Sequence, residues 1–201
     1  MNFIKIISVI LVALYGSYAF SANFSYTNVG IDIGQATLED EIEIFGEDYK
    51  NLTYVSLNGS YQVMDNLTLS LDSSSFGREQ ISTEFRYSMA EFYLNFPISI
   101  GENVDVVPFW GSRRDSAEMC NQNVCYKEER SAAGYGVNVN LWLDKGTLAL
   151  DAGYTNTRDK DFDSELSLGL GYYFDEKQSF RFDYHTEDAL DIVSIGYRYQ
   201  W

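Results

Sequence analysis

Two cysteines and a single histidine bound the chemistry open to this 201-residue chain. Cys120 and Cys125 enclose four residues, a spacing that suits a local disulfide in an oxidising compartment and not a Cys-x-x-Cys redox pair. Free thiols are the alternative. With one histidine and no third cysteine, a zinc site built from His and Cys is not available. His185 is the one imidazole base, with Asp183 two residues before it on the same face and Thr186 and Glu187 after it. A lone histidine near a strand end is more often a satisfied polar group, so no catalytic residue is expected. Glu39, Asp40, Glu41, Glu43, Glu47 and Asp48 form an acidic run. Carboxylates suit Ca²⁺ and Mg²⁺, but the ligand spacing of an EF-hand loop is absent, so solvated side chains are expected and no metal or cofactor. The alternation Glu41, Ile42, Glu43, Ile44 hints at strand within that run. Around the cysteines, Arg113, Arg114, Lys127 and Arg130 mix with Asp115, Glu118, Glu128 and Glu129. Mixed charge of this kind reads as a solvated loop.

Composition narrows the setting. Lys plus Arg is 14 against 30 for Asp plus Glu, a formal charge of −16, which lacks the basic footprint that nucleic acid requires. A hydrophobic share of 45% excludes a disordered acidic tail. Residues 1–22 read as a secretory signal peptide and 23–201 as one mature domain. Lys5 supplies the basic start, and Ile6 to Leu14 is apolar apart from Ser8, too short to span a bilayer. Ser17-Tyr18-Ala19 is a small-x-small cleavage site. Cleavage after Ala22 is the alternative, although it sets Phe20 where small residues are favoured. No cysteine follows either site, so a lipid anchor is not expected.

The elements that must position these residues are strands. Apolar residues alternate with polar ones, period two, over Val29 to Gly34, Thr53 to Val63, Leu67 to Asp72, Ala90 to Ile98, Gly134 to Leu143, Leu148 to Tyr154, Leu166 to Phe174, Phe180 to His185 and Val193 to Trp201. A tenth strand is expected over Val104 to Gly111, where Pro108 blurs the phase and suggests a bulge or a strand end. Short connections (Met64 to Asn66, Ser99 to Asn103, Asp144 to Gly146, Asp175 to Gln178) alternate strictly with longer polar ones. The longer ones are Ala36 to Lys50, Ser74 to Thr83, Ser112 to Ser131, Asn156 to Ser164 and Thr186 to Leu190. An up-and-down meander whose two ends face different surroundings has this rhythm. The expected fold is all-β: a closed antiparallel barrel of ten strands, with eight as the alternative. A soluble barrel would keep a charged face in water. Here the polar face is rich in Gly, Ser and Asn. The apolar face carries Tyr61, Tyr135, Tyr154, Tyr172, Phe174, Tyr197, Tyr199 and Trp201 near strand ends, the aromatic girdle of a transmembrane barrel.

The polar face then lines the lumen. It holds Asp32, Asp72, Glu91, Asp151 and Asp183 against Arg181 and Arg198. Paired, these groups would plug a narrow interior. Hydrated, their excess of carboxylates would favour cations. Arg181 and Arg198 are expected near the end that holds the termini, neutralised by Asp183 and Asp32.

The final strand, Ile195-Gly196-Tyr197-Arg198-Tyr199-Gln200-Trp201, resembles the C-terminal strand of bacterial outer-membrane barrels. In that group the assembly machinery reads such a strand as its insertion signal. The chain as a whole resembles the small outer-membrane β-barrels of the OmpA and OmpX type, which typically have eight strands. The resemblance implies a Gram-negative outer membrane, periplasmic termini, contact with lipid and lipopolysaccharide, and a part for Tyr197, Tyr199 and Trp201 in assembly. Some such barrels modify lipids using His with Ser, but no Ser lies two residues after His185, as the lipid A deacylase pattern requires. A non-enzymatic surface protein is therefore expected, whose loops serve contact or envelope integrity with an unknown surface ligand. A narrow cation-preferring pore is the alternative and a lipid-modifying enzyme the third reading.

Overall fold

The computed structural model describes residues 23–44, 47–79, 83–121, 124–159 and 163–201, so the segment 1–22, read from the sequence as a signal peptide, lies outside the described residues. The strands are β1 (Asn28–Ile44), β2 (Glu47–Met64), β3 (Leu67–Glu79), β4 (Thr83–Asn95), β5 (Ile98–Ile100), β6 (Val104–Asn121), β7 (Val124–Asp144), β8 (Leu148–Thr157), β9 (Glu165–Tyr173), β10 (Gln178–Glu187) and β11 (Leu190–Gln200). Each pairs antiparallel with its neighbour, and β1 closes the ring on β11. β4 and β5 are one strand interrupted at Phe96-Pro97, since both pair with β6 in a continuing register. The wall therefore has ten strands. Closure leaves no sheet edge, so the backbone is satisfied without water, as a hydrocarbon setting demands.

The break falls at Pro97 and not at Pro108. Pro108 lies inside β6 opposite Val137, and its carbonyl accepts from Phe96 N at 2.9 Å. A strand residue presents its N and its O to the same side. The donor that Pro108 lacks therefore faces the gap in β4–β5, where no ladder bond is lost. Val107 and Phe109 point inward and are buried.

Four strands are of bilayer length: β8, β9, β10 and β11 have 10, 9, 10 and 11 residues, against the ~9–11 that cross a membrane at a tilt. The others overshoot: β1, β2, β6 and β7 have 17, 18, 18 and 21, and β3 and β4 have 13 each. The termini and the short turns share one end, called terminal below. Gly101 and Gly146 there adopt φ of 69° and 81°, a left-handed conformation that suits glycine. The overshoot is all at the opposite, distal end. Most of what reads in the sequence as long loops is strand. Ala36 to Lys50 is the β1–β2 hairpin, Ser74 to Thr83 continues β3 toward β4, and Ser112 to Ser131 is the β6–β7 hairpin. Thr186 to Leu190 shrinks to a two-residue turn between β10 and β11, and in Asn156 to Ser164 the described residues 158–159 and 163–164 lie outside the strands.

The reason is a change of phase. On β1, Val29, Ile31 and Ile33 face out, then Ala36 and Leu38 face in. On β3, Leu71 faces out and Phe76 in. On β4, Phe85 faces in, and Tyr87 and Met89 pack against the same interior, before Phe92 faces out. The flip lies at one level, because Gly34 pairs with Tyr54, Tyr54 with Phe76, Phe76 with Tyr87, and Ala36 with Ile192. Below it the outer face is an apolar belt. Above it the outer face is Thr37, Glu39, Asn51, Thr53, Ser73, Ser75, Glu84, Arg86 and Ser88, and an apolar core fills the inside: Ala36, Leu38, Tyr49, Leu52, Tyr54, Phe76, Phe85 and Ile192. Tyr49 reaches across this core to bond Thr83, Oη to Oγ1, at 2.6 Å.

Candidate functional site in the barrel interior

Below the distal core the inward positions are polar, and they divide into two clusters. The upper one gathers on Arg113, 2% exposed. Its Nε lies 2.9 Å from Asp115 Oδ1 and 3.9 Å from Glu91 Oε1, and its Nη1 lies 2.5 Å from Glu187 Oε1 and 3.6 Å from Glu165 Oε2. Four strands converge here: β4, β6, β9 and β10 supply these groups, and His185 on β10 bonds Glu165 through Nδ1 at 2.8 Å. Tyr93 and Tyr87 donate to Glu91 and Asp115. One guanidinium thus serves four carboxylates. A buried charge is tolerable only when paired and fully hydrogen-bonded, and this cluster comes close to meeting that condition.

The lower cluster gathers on Arg181, which pairs with Asp151 and with Asp183, the latter at 2.8 Å. Asp32 and Asp72 take neutral donors instead: Asn58 bonds Asp32, and Ser56 Oγ donates to Asp72 at 3.0 Å. Arg198 has no ion-pair partner among the described residues, and its buried Nε lacks a hydrogen-bond acceptor, as buried Asp32 Oδ1 lacks a donor. The inward set read from the sequence is therefore split three ways. Glu91 joins Arg113, Asp151 and Asp183 join Arg181, and Asp32, Asp72 and Arg198 line the space between. Of the expected partners, Asp183 does pair with Arg181, whereas among the described residues Asp32 pairs with neither arginine. Arg181 draws its charge partners from β8 and from its own strand, and Asp32 leans over Gly196, where a Cβ would collide with its Oδ1.

Arg113 and Asp115 correct a second expectation. They are not part of a solvated loop but inward residues of β6. Sequence reasoning lost them because Ser112 to Ser131 carries no apolar alternation to give a phase. Counting by twos from buried Phe109 through Gly111 would have found both. Arg114, outward on the same strand, is exposed and bonds Glu129 at 2.5 Å. Lys127 bonds Glu129 at 2.7 Å. The two hydrogen bonds, Lys127's above all, hold the Glu129 carboxyl down at about 2. Cys120 and Cys125 face each other across β6 and β7 and are disulfide-bonded. With Glu118 they bring three potential ligand atoms within 4.8 Å of one another, but the bonded sulfurs leave no thiolate for a metal. Glu39 and Asp40 are exposed at the end of β1.

Two cavities stand out among the described residues. One of about 320 Å³ is lined by Asp72, Asp151, Arg181, Asp183 and Arg198 and by Asn and Ser side chains toward the terminal end. The other, about 120 Å³, lies against Glu91, Glu165 and His185 and ends at Tyr54, Ile192 and Leu190. Tyr49, Leu52, Phe76 and Phe85 line neither. Ser167 is the cross-strand neighbour of His185, both inward, with no hydrogen bond between them. At the C-terminus, Tyr197 packs among Phe174 and Phe180, and Tyr199 stacks on Trp201 on the outer face.

No family model matches the chain, and no curated protein matches it in sequence. Solved structures do. The outer-membrane protease OmpT from Escherichia coli superposes with a TM-score of 0.56 at 8% identity, over 92% of this chain and 99% of that one. The fold is that of the outer-membrane β-barrels. Ail, the attachment invasion locus protein of Yersinia pestis, aligns at TM-score 0.42 and 14% identity over 86% of this chain and 99% of that one. An outer-membrane channel from Pseudomonas putida aligns at TM-score 0.45 and 11% identity over 92% and 98%.

Proposed function

We propose that this chain is an integral outer-membrane protein, non-enzymatic and sealed, that holds a stiff β6–β7 hairpin away from the membrane as a contact element. The termini face the periplasm in this reading. Tyr197, Tyr199 and Trp201 serve the assembly machinery, and the belt meets lipid and lipopolysaccharide. The observation that carries it is the filled interior: the Arg113 cluster and, above it, a core of Tyr49, Leu52, Phe76 and Phe85. A conducting pore needs a continuous wet path; the larger cavity does not touch that core, and the smaller one ends against Tyr54 and Ile192 at the core's lower side, with none of Tyr49, Leu52, Phe76 or Phe85 in its lining. An imidazole committed to Glu165, with no hydroxyl bonded to it, lacks the nucleophile–base contact of a hydrolase. What projects is the hairpin, where Val124 and Tyr126 stand exposed beside the Cys120–Cys125 link. Tyrosine at a protruding, rigid position is a common contact residue.

Two measurements test this. Refolded protein in planar bilayers should carry no steady current, and cation-selective conductance steps would establish the pore. A barrel whose tip from Cys120 to Cys125 is replaced by an Asn-Gly turn should assemble normally yet fail to restore the envelope or attachment defect of a strain lacking the protein. Full restoration would assign the role to the barrel body.

A further inference from the structure

The terminal mouth of the barrel is crossed by the segment Asn23 to Thr27, which leaves β1 and reaches the far wall. Its anchor is Asp105 on β6, 0% exposed. This carboxylate accepts from Asn23 N at 3.0 and 3.2 Å, Asn23 Nδ2 at 2.9 Å, Tyr26 Oη at 3.0 Å and Ser99 Oγ at 2.8 Å. Among the described residues no Lys, Arg or His pairs with it, unlike Asp115 and Asp183, which each face an arginine. A fully buried carboxylate without a countercharge is costly. One donor in the set is in a position to supply that charge: Asn23 N, placed against both oxygens. A peptide N–H has one hydrogen and serves one acceptor well. An ammonium has three.

We propose that the chain is cut between Ala22 and Asn23, and that the new α-ammonium of Asn23 pairs with Asp105 and fastens the segment across the mouth. The cut is hydrolysis of one amide by a leader peptidase. Water gives its oxygen to the Ala22 carbonyl, and the Asn23 nitrogen leaves as the amine and is protonated. The rest of the segment is built for this berth. Asn23 Nδ2 also donates to Val104 O at 3.1 Å and Gly101 O at 3.3 Å. Trp142 Nε1 donates to Asn23 O at 3.0 Å, and Phe24 stacks on Trp142 at 4.5 Å, 3° from parallel. Asn140 holds Tyr26 Oη at 3.0 Å. Cleavage after Ala19 would leave Asn23 N an uncharged amide and the carboxylate without a partner charge. The geometry therefore outweighs the better small-residue match of Ser17-Tyr18-Ala19.

The proposal rests on the export reading above, and the test separates the two. The protein is extracted from outer membranes, and its intact mass and N-terminal peptide are determined. A chain starting at Asn23 is expected. A start at Phe20 leaves export standing and overturns this site, and a retained Met1 overturns both. The folded protein is then treated with an amine-reactive ester. The N-terminal amine should label about ten-fold slower than in urea, the factor expected of a strong charge-assisted hydrogen bond. In folded Asp105→Asn, checked by heat-modifiable migration, it should label near the unfolded rate. A wild-type amine as reactive as in urea overturns the pair. If Asp105→Asn does not fold, Ser99→Ala, which removes one donor and keeps the ion pair, should retain the protection, and its loss there would count against the α-ammonium as anchor.

Discussion

The terminal and distal halves of this barrel are built on the same strands with opposite side-chain rules. In the terminal half Val29, Ile31, Leu57, Leu71 and Phe92 face out, and Asp32, Asn58, Asp72 and Glu91 face in. A few residues further along, Thr53, Ser75 and Ser88 face out, and Leu52, Phe76 and Phe85 face in. Backbone pairing does not change across the switch. What changes is the solvent. In hydrocarbon an apolar exterior costs nothing and the polar groups must satisfy one another inside. In water the same wall gains stability by burying its apolar side. The strand is indifferent, and the pattern of side chains tells where the medium ends.

That difference can be sharpened by substitutions of graded effect. The largest should come from the junction. Arg113→Ala leaves Asp115, Glu91, Glu165 and Glu187 facing one another and should cost about 3–5 kcal/mol in urea-driven unfolding from vesicles. Arg198→Ala, which breaks no ion pair, should cost clearly less. Equal losses would mean that the lumen charges act as one diffuse pool.

Next come the cores. Leu52→Ala, inside the distal half, should cost about 2–4 kcal/mol, the usual loss for a buried leucine. Leu57→Ala, five residues along and facing out, should lose much less, since lipid closes over the missing atoms. A reversed order would place water outside both.

Charge insertion should be comparable in size but confined to one half. Phe92→Arg should cost about 2–4 kcal/mol if its site is near the bilayer centre. Ser88→Arg, two steps of the alternation higher on β4, should stay within roughly 0.5 kcal/mol, as a surface change does.

The smallest effect belongs to the projecting hairpin. Glu129 ionises at about 2 because Lys127 and Arg114 hydrogen-bond its charged form. A depressed carboxyl contributes its stability above its ordinary range and loses it as pH falls through the lowered value. The Lys127–Glu129–Arg114 contacts should therefore persist at pH 4 and dissolve toward pH 2. An NMR titration of the Glu129 carboxyl checks this, and a midpoint near 4.5 would contradict it.

The strand count and the closed barrel were legible in the sequence because apolar-out alternation is regular wherever lipid lies outside. The full length of the strands was not. At Gly34, Tyr54 and Met89 the apolar phase slips by one residue, so a reader following period two sees the signal stop and infers a loop. Long polar runs such as Ser112 to Ser131 then look solvated, and Arg113 with them. Of the lumen charges, the inward direction of Asp32, Asp72, Glu91, Asp151, Asp183, Arg181 and Arg198 follows from parity alone. Their partners do not, because a barrel brings together β4, β6, β9 and β10 through shear and closure that no local spacing records.

The account turns on the level at which the medium changes. Single cysteines at Arg86, Ser88, Ala90, Phe92 and Leu94 on β4, spin-labelled in the oxidised protein in liposomes, report it directly. Accessibility to lipid-soluble oxygen should rise, and accessibility to a water-soluble nickel complex should fall, between Ser88 and Phe92. A uniform profile from Arg86 to Leu94, or a crossover at Arg86 or beyond, would contradict the inversion and with it the division of this barrel into a lipid half and a water half.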